Sequence, residues 1–448
     1  MKITFTHLSG GIMLSLACGG AATAAVTIDS LMLREHLYAA DFRAELQNNL
    51  DFFIDGVGVD PQANVPYDTI LVKGGEIEPQ FYVNTTEIGL YLNILVEADK
   101  GGTPGAVDRI AEVLDTLEKA PSWNGLFYWP YDIIGSELKP GADGIVPAVD
   151  NANLAFALAG VAGAFLDSDD ALKINIFQRI EALLEAQKPG WVKLYSPQRG
   201  LLRAGWSTQH DAPLNYYIDR KANESRLAPM WAALITSGMG KDAVPASAFN
   251  TMELYTKQYT YQGRTYNPML TWDGAYFQAM LPAIWLNERE LMPDYSMIED
   301  LTFIHMAYAA QHNIPLVSSA ATINDGYAAF GVPYVSESKV MFNNTIEDDK
   351  TGTPHAVALS YLVNPEIAIQ VLKSIKTHYP KIESPYGWYD ALDSQGRMSN
   401  KIISLDQGMY VSAFLAAEIN QDVKRYLDAK GYTPAVEAMY QSYVPNDR

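Results

Sequence analysis

The sequence predicts an all-α protein in which helix pairs close into a ring around one core. Three observations carry this. Apolar residues recur at three- and four-residue steps through most of the chain. The connections are long and rich in Gly, Pro, Asn and aromatics, and no Gly/Ser or charged linker cuts the 448 residues. A bundle or a solenoid would show shorter loops or a clear repeat period.

The elements follow from these patterns. Over 105–119, Val107, Ile110, Leu114 and Leu117 share one face. Leu172, Ile176, Ile180 and Leu183/Leu184 do the same behind Ser168 and two acidic residues, a composition suited to a helix start. Further helices are expected over 86–98, 150–166, 223–236, 274–288, 296–312, 364–377, 406–418 and 433–442. Segments 121–148, 188–222, 258–273 and 378–405 read as loops, with a small hairpin on the rim near 255–272 or 191–206. Residues 26–448 are expected to form a single domain.

The N-terminus reads as an export signal over 1–25. Lys2 precedes the apolar stretch Ile12 to Ala17, and Ala22-Thr23-Ala24 fits a cleavage site. The expected location is periplasmic or secreted. Cys18, the only cysteine, falls inside this segment, so the processed chain has no disulfide or thiol chemistry. Lipid anchoring through Cys18 is the lesser alternative, because Ser15-Leu16-Ala17 is a poor lipobox. No other apolar run approaches the ~20 residues that span a bilayer.

A net charge of −20, from 32 basic and 52 acidic side chains, repels phosphate backbones and anionic lipid. Nucleic acid and membrane insertion are therefore poor expectations, and a neutral partner is favoured. The 8 Trp, 27 Tyr and 15 Phe suit either core filling or stacking on the C–H faces of sugars. The seven histidines are scattered without zinc-ligand spacing, so no metal and no cofactor are expected. Absence of G-x-S-x-G and of a phosphate-cradling Gly loop argues against esterase and kinase chemistry.

Three acids open apolar helical stretches: Asp150 before Leu154, Glu224 before Leu227, and Asp406 before Met409. Taken singly, each is explained as a helix cap worth about 1 kcal/mol, or in the case of Glu224 as an ion pair with Arg226. Taken together, they put carboxyls at helix N-termini, and in a ring of helix pairs one set of those ends shares a rim. A protonated acid beside an ionised one is what glycoside hydrolysis needs.

Eight segments in order resemble the endo-β-1,2-glucanases and the glycosidase-like (glycoamylase-like) domains of cyclic β-1,2-glucan synthases. They are Thr86 to Leu92, Phe127 to Asp132, Val149 to Ala155, Asn223 to Ala228, Thr271 to Pro282, Ser336 to Ser338, Tyr386 to Ala391 and Leu405 to Met409. The chain departs from the family pattern at Glu87, at Pro333-Tyr334 and at Gln278.

The resemblance implies an (α/α)6 barrel and an endo-acting, inverting hydrolase of β-1,2-glucan, expected as a monomer. It implies Glu224 as general acid, its pKa raised by burial, and Asp406 as general base, with Asp150 next. Arg226, two residues from Glu224, is expected on another helix face and not paired with it. Asp132, Asp273 and Glu337 are implied in hydroxyl binding or support, and Trp129, Tyr131, Trp272, Tyr386 and Trp388 as stacking platforms. Glu87, Asn153, Asp219, Arg226 and Gln407 complete the implied sugar-binding set. Two alternatives stay open: a transglycosylase or a hydrolase of another β-glucan on the same scaffold, and a non-catalytic glycan-binding protein.

Overall fold

A computed structural model describes residues 25–33 and 42–446. The leader expected over 1–25, with Cys18, lies outside the described residues apart from Ala25. In chain order the first helices are Arg43–Leu50 (α1), Thr85–Lys100 (α2), Ala106–Lys119 (α3), Ala148–Phe165 (α4), Ala171–Ala186 (α5), Lys188–Leu194 (α6), Leu227–Thr236 (α7) and Ser247–Asn250 (α8). There follow Tyr276–Met280 (α9), Glu288–Leu291 (α10), Ser296–His312 (α11), Glu337–Phe342 (α12), Pro354–Leu359 (α13), Pro365–His378 (α14), Ser404–Ala429 (α15) and Thr433–Tyr440 (α16). They build an (α/α)6 barrel, as expected. Its inner helices are α2, α4, α7, α9, α13 and α15, and α3, α5, α11 and α14 pack outside them.

The inner helices are buried on nearly every face, which is why most lack a polar side. In α4 every residue from Ala152 to Gly163 is buried. This 18-residue helix is long and apolar enough by composition to cross a membrane, closer to that limit than the sequence reading allowed, but 83% of it is covered by the barrel. Residue pairings show that α2, α4 and α15 run the same way. Thr86 meets Asp150, Asn93 donates to the Ala157 carbonyl at 2.9 Å, and Lys100 pairs with Asp422. Gly408 of α15 lies against Leu90, and Gly89 against Ala157. At Gly163 a side-chain carbon would sit 1.8 Å from the Asp422 carbonyl oxygen, so α4 and α15 cross at backbone contact.

Each inner helix is fed by extended chain at one rim. Tyr82–Val83 leads into α2, Glu137–Pro147 into α4, Thr351–Gly352 into α13 and Lys401–Ile403 into α15. Tyr217–Ile218 precedes the 3-10 turn Glu224–Arg226 that opens α7, and Thr271 bridges Ser336 just before α9. The largest sheet is antiparallel, in the order 212–213, 205–207, 137–147, 129–134 and 82–83.

Two expectations need correction, and the rim hairpin is borne out. The stretch 121–148 is not a loop: Trp129–Ile134 pairs with Glu137–Pro147, burying Tyr131 and Ile133 and exposing Asp132 and Ile134. That two-residue alternation was present but broken by Pro130 and Gly135. The hairpin near 255–272 forms at Tyr259–Tyr261 and Arg264–Tyr266, while 191–206 holds the end of α6 and three short strands. Helices α1, α6, α12 and α13 lie where none was expected, being too short to show a 3.6-residue period.

One hydrophobic cluster runs from Val26 to Tyr443. The chain ends are tied in, since α1 packs on α15, the Lys221 ammonium donates to the Ser442 carbonyl, and the Tyr443 hydroxyl donates to the Lys221 carbonyl. We propose that 26–448 unfolds as one unit. Limited proteolysis is expected to give loop nicks and then complete loss. A stable half-length fragment would refute the single domain.

Candidate active site

The rim that gathers the inner-helix N-termini also gathers the acids. None of the three singled out from sequence caps its own helix. The N-terminal flanks of α4 and α15 are Pro147 and Ile403, and the Glu224 turn is capped by Asn223, which accepts from the Ser225 amide at 3.0 Å. The bland explanation therefore fails for all three.

Asp150 accepts a 2.7 Å hydrogen bond from the Thr86 hydroxyl of α2. Thr86 in turn accepts from the Asn153 amide at 3.1 Å, leaving Asn153 Oδ1 buried and unpartnered. Burial pushes the Asp150 carboxyl up to about 6, with the Thr86 hydroxyl pulling it back.

Glu224 is half-buried, and its Oε2 is buried without a partner. Desolvation pushes its carboxyl up to about 7, and the charges of Asp150 and Asp273 add to the rise. Arg226 does not pair with it. The guanidinium turns inward to Glu288 at 2.7 Å, and donates as well to the carbonyls of Asn223, Gln278 and Ala279. Tyr440 of α16 also donates to Glu288, at 2.6 Å. Arg226 is therefore not a sugar-binding residue: it is fully buried and spent on this network. Its work is to fix the turn that presents Glu224, and breaking such a pair costs about 3–5 kcal/mol.

Asp406 sits beside Asp390 and His355, with ligand-capable atoms of the three within 4.8 Å of one another. Burial, then Asp390, drives the Asp406 carboxyl well above the usual range. Asp390 is raised less, because Asp406 and the Ala321 amide, at 2.6 Å, both donate to it. Two buried carboxyls this close resist carrying two negative charges, so they titrate as a pair. Asp406 Oδ2 is buried and unpartnered, 3.4 Å from His355 Nδ1. That contact is not an ion pair, since burial lowers the imidazole to about 3 and keeps it neutral. Neither His355 nor Asp390 was among the residues singled out from sequence. Thr353-Pro354-His355 carried a signal, Pro at the first position of a helix.

Tyr327, on the hairpin formed by 320–321 and 327–328, lies within electrostatic range of Asp406, Asp390 and Glu224. Its side chain is 57% exposed. Both groups of acids thus act on one rim tyrosine.

Other implied residues scatter in role. Glu87 is the capping-box partner of Asn84, its Oε1 unpartnered and its carboxyl raised well above normal by burial and Asp68. Asp273 exchanges hydrogen bonds with Gln278. Arg220 gathers Glu337 at 2.8 Å, Glu253 at 2.8 Å and Asp219 at 3.1 Å. Gln407 donates to the Trp388 carbonyl and leaves Oε1 unpartnered. Trp129 and Trp272 are 46% and 39% exposed, and Asp132 is exposed beside Trp129's strand. Tyr386 is half-buried and donates to the Gly75 carbonyl. Tyr131 and Trp388 are corrections: both are fully buried in the core, Tyr131 donating to the Pro121 carbonyl, and neither offers a stacking face.

No curated protein matches the chain by sequence. The glycoamylase family model, described as "Putative glucoamylase", matches residues 215–416. Among solved structures, the endo-β-1,2-glucanase from Talaromyces funiculosus in complex with sophorose is 15% identical with a TM-score of 0.76, covering 90% of each chain. The endo-β-1,2-glucanase from Chitinophaga pinensis, in a sophorotriose and glucose complex, is 17% identical with a TM-score of 0.71, covering 91% of this chain and 98% of its own. A "putative glucoamylase" from Bacteroides caccae is 19% identical with a TM-score of 0.71, covering 92% and 100%. At such identities the structural likeness speaks for the fold. The resemblance drawn from the eight motifs thus holds: residues 215–416, which carry Glu224, Asp273, Asp390 and Asp406, match the glycoamylase family model, and the chain folds as the (α/α)6 barrel it implied.

Proposed function

We propose that this glycoside hydrolase is an exported, endo-acting, inverting β-1,2-glucanase. The observation that carries the reading is the Glu224 carboxyl: half-buried, not paired with Arg226, raised to about 7, and within electrostatic range of the same tyrosine as the Asp390–Asp406 pair. Near neutral pH a large share of Glu224 is protonated while the pair still holds a negative charge. That is the division of labour glycosidic cleavage needs.

In this reading Glu224 gives its proton to the leaving glycosidic oxygen, directly or through a substrate hydroxyl. The C1–O bond breaks as water attacks C1 from the opposite face. The water's proton passes to Asp406 Oδ2 while the proton Asp406 shares moves to Asp390, so the pair ends neutral. Asp150 is mostly ionised at neutral pH, and its charge holds the proton on Glu224. It is also the second candidate base. Trp129 and Trp272 have the exposed faces to stack on glucosyl rings. An acidic protein repels charged polysaccharides, which supports a neutral glucan.

Glu224→Gln keeps size and most hydrogen bonding but cannot donate the proton. Turnover is expected to fall ~10²–10⁴-fold with the melting temperature little changed. The general acid works only while protonated, so wild-type kcat/KM should decline as pH rises through about 7. A folded, normally active Glu224→Gln protein would remove the residue from the mechanism.

Incubation with soluble β-1,2-, β-1,3-, β-1,4- and β-1,6-glucans is expected to yield oligosaccharides from the β-1,2-linked polymer first, as the α-anomer. Faster cleavage of another linkage replaces the substrate, and an initial β-anomer replaces inversion with retention.

His355, Asp390 and Asp406 have the composition of a cation site, yet the shared proton gives the pair its role without one. Prolonged EDTA treatment is expected to leave hydrolysis intact. Loss of activity restored by a divalent metal would instead make the cluster a metal centre.

A further inference from the structure

Away from the acids, the hairpin 259–266 and helix α11 enclose a cavity of about 720 Å³. That volume is in the range of small-ligand sites, ~300–1,000 Å³. Its rings are Tyr259, Tyr261, Tyr266, Phe303, Tyr308 and Tyr334. They hold one another in place. Tyr266 stacks on Phe303 at 4.3 Å, Tyr334 meets Tyr259 and Tyr308 edge-on, and the Tyr259 hydroxyl donates to the Tyr334 carbonyl. Tyr261 and Tyr334 are 49% and 54% exposed, so their faces are open to solvent.

Two features decide the class of occupant. No charged side chain lines the cavity, on a chain of net charge −20, although Arg264 and Lys350 flank Tyr266 and Tyr308. The remaining polar lining is neutral: Thr260, Gln311 and the tyrosine hydroxyls. Flat rings edged with neutral donors and acceptors match the alternating C–H faces and hydroxyls of an uncharged sugar chain. A purely apolar partner would leave those hydroxyls unmatched.

Hydrogen bonds tie the cavity's Tyr334 segment to the rim. The Trp272 carbonyl accepts from Ser336 Oγ and the Ser338 amide, both at 3.0 Å, two and four residues beyond Tyr334. Trp272 adjoins Asp273, whose charge is felt by Glu224. The segment that carries Tyr334 is therefore tied to the one that carries Trp272. Tyr334 belongs to the Pro333-Tyr334 pair at which the chain departs from its relatives' pattern.

We propose that this tyrosine cavity is a distal binding site for a neutral β-glucan chain, which it holds while a distant part of the same chain is cleaved. The proposal rests on the β-glucan reading above. It is tested with Tyr261→Ala/Tyr334→Ala, which touches none of the acids. In native gels containing linear β-1,2-glucan, the wild type should be retarded and the double variant much less so. KM on the polymer should rise on the order of tenfold, the effect of losing two stacked rings, while kcat on the shortest cleavable oligosaccharide stays put. A folded double variant with unchanged retardation and polymer KM overturns the site. If the wild type ignores β-1,2-glucan, the gels are repeated with β-1,3-, β-1,4- and β-1,6-glucans. Retardation by one of these, lost in the double variant, keeps the site and replaces only the linkage. Retardation by none overturns it.

Discussion

The arrangement depends on one constraint: the inner helices share a core and run in one direction, so their N-termini must emerge together. Neighbouring helices register accordingly, with Thr86 against Asp150 at the top and Lys100 against Asp422 at the bottom. Short strands at the rim aim each helix before it starts, as Lys401–Ile403 does for α15 by pairing with Thr69–Leu71. Residues far apart in sequence, from Glu87 to Asp406, are brought together by direction alone.

That convergence sets electrostatics in opposition. Helix N-termini favour negative charge and would lower a carboxyl's pKa. Burial and like-charged neighbours raise it, and at Asp150, Glu224 and Asp406 they prevail. The outcome is graded: Asp150 rises to about 6 and Glu224 to about 7, while burial and Asp390 drive Asp406 well above the usual range. The grading comes from surroundings, since residue type accounts for only a few tenths of a unit. The Arg226–Glu288 pair makes the same point in reverse. By taking the Arg226 hydrogen bonds, Glu288 leaves Glu224 only the pull of the Arg226 charge, which burial outweighs.

Much of this was legible in the sequence. Long periodic helices such as 106–119 and 296–312 were read to within a residue, and the opening acids Asp150, Glu224 and Asp406 stood out because a polar group precedes an uninterrupted apolar run. What escaped were features without local periodicity. The helix carrying His355 is six residues long, too short for any pattern. Asp390 belongs to a strand-rich turn, and its partnership with Asp406 is purely tertiary. Arg226, Tyr131 and Trp388 were misassigned for a related reason. A motif preserves residue type, but only packing reveals whether a side chain faces the cleft or the core.

The close crossings below the site separate the molecule into a part that cannot change and a part that can. Where Gly163 touches the Asp422 carbonyl, and Gly89 and Gly408 meet Ala157 and Leu90, even one added methyl forces whole helices apart. Variation in this barrel is thereby channelled upward, into the strands and hairpins of the rim, where residues such as Tyr334 can be exchanged without disturbing the crossings of the inner helices. New ligand preferences can arise there by local substitution, while Asp150, Glu224 and Asp406 keep their places because the floor beneath them has no room to drift.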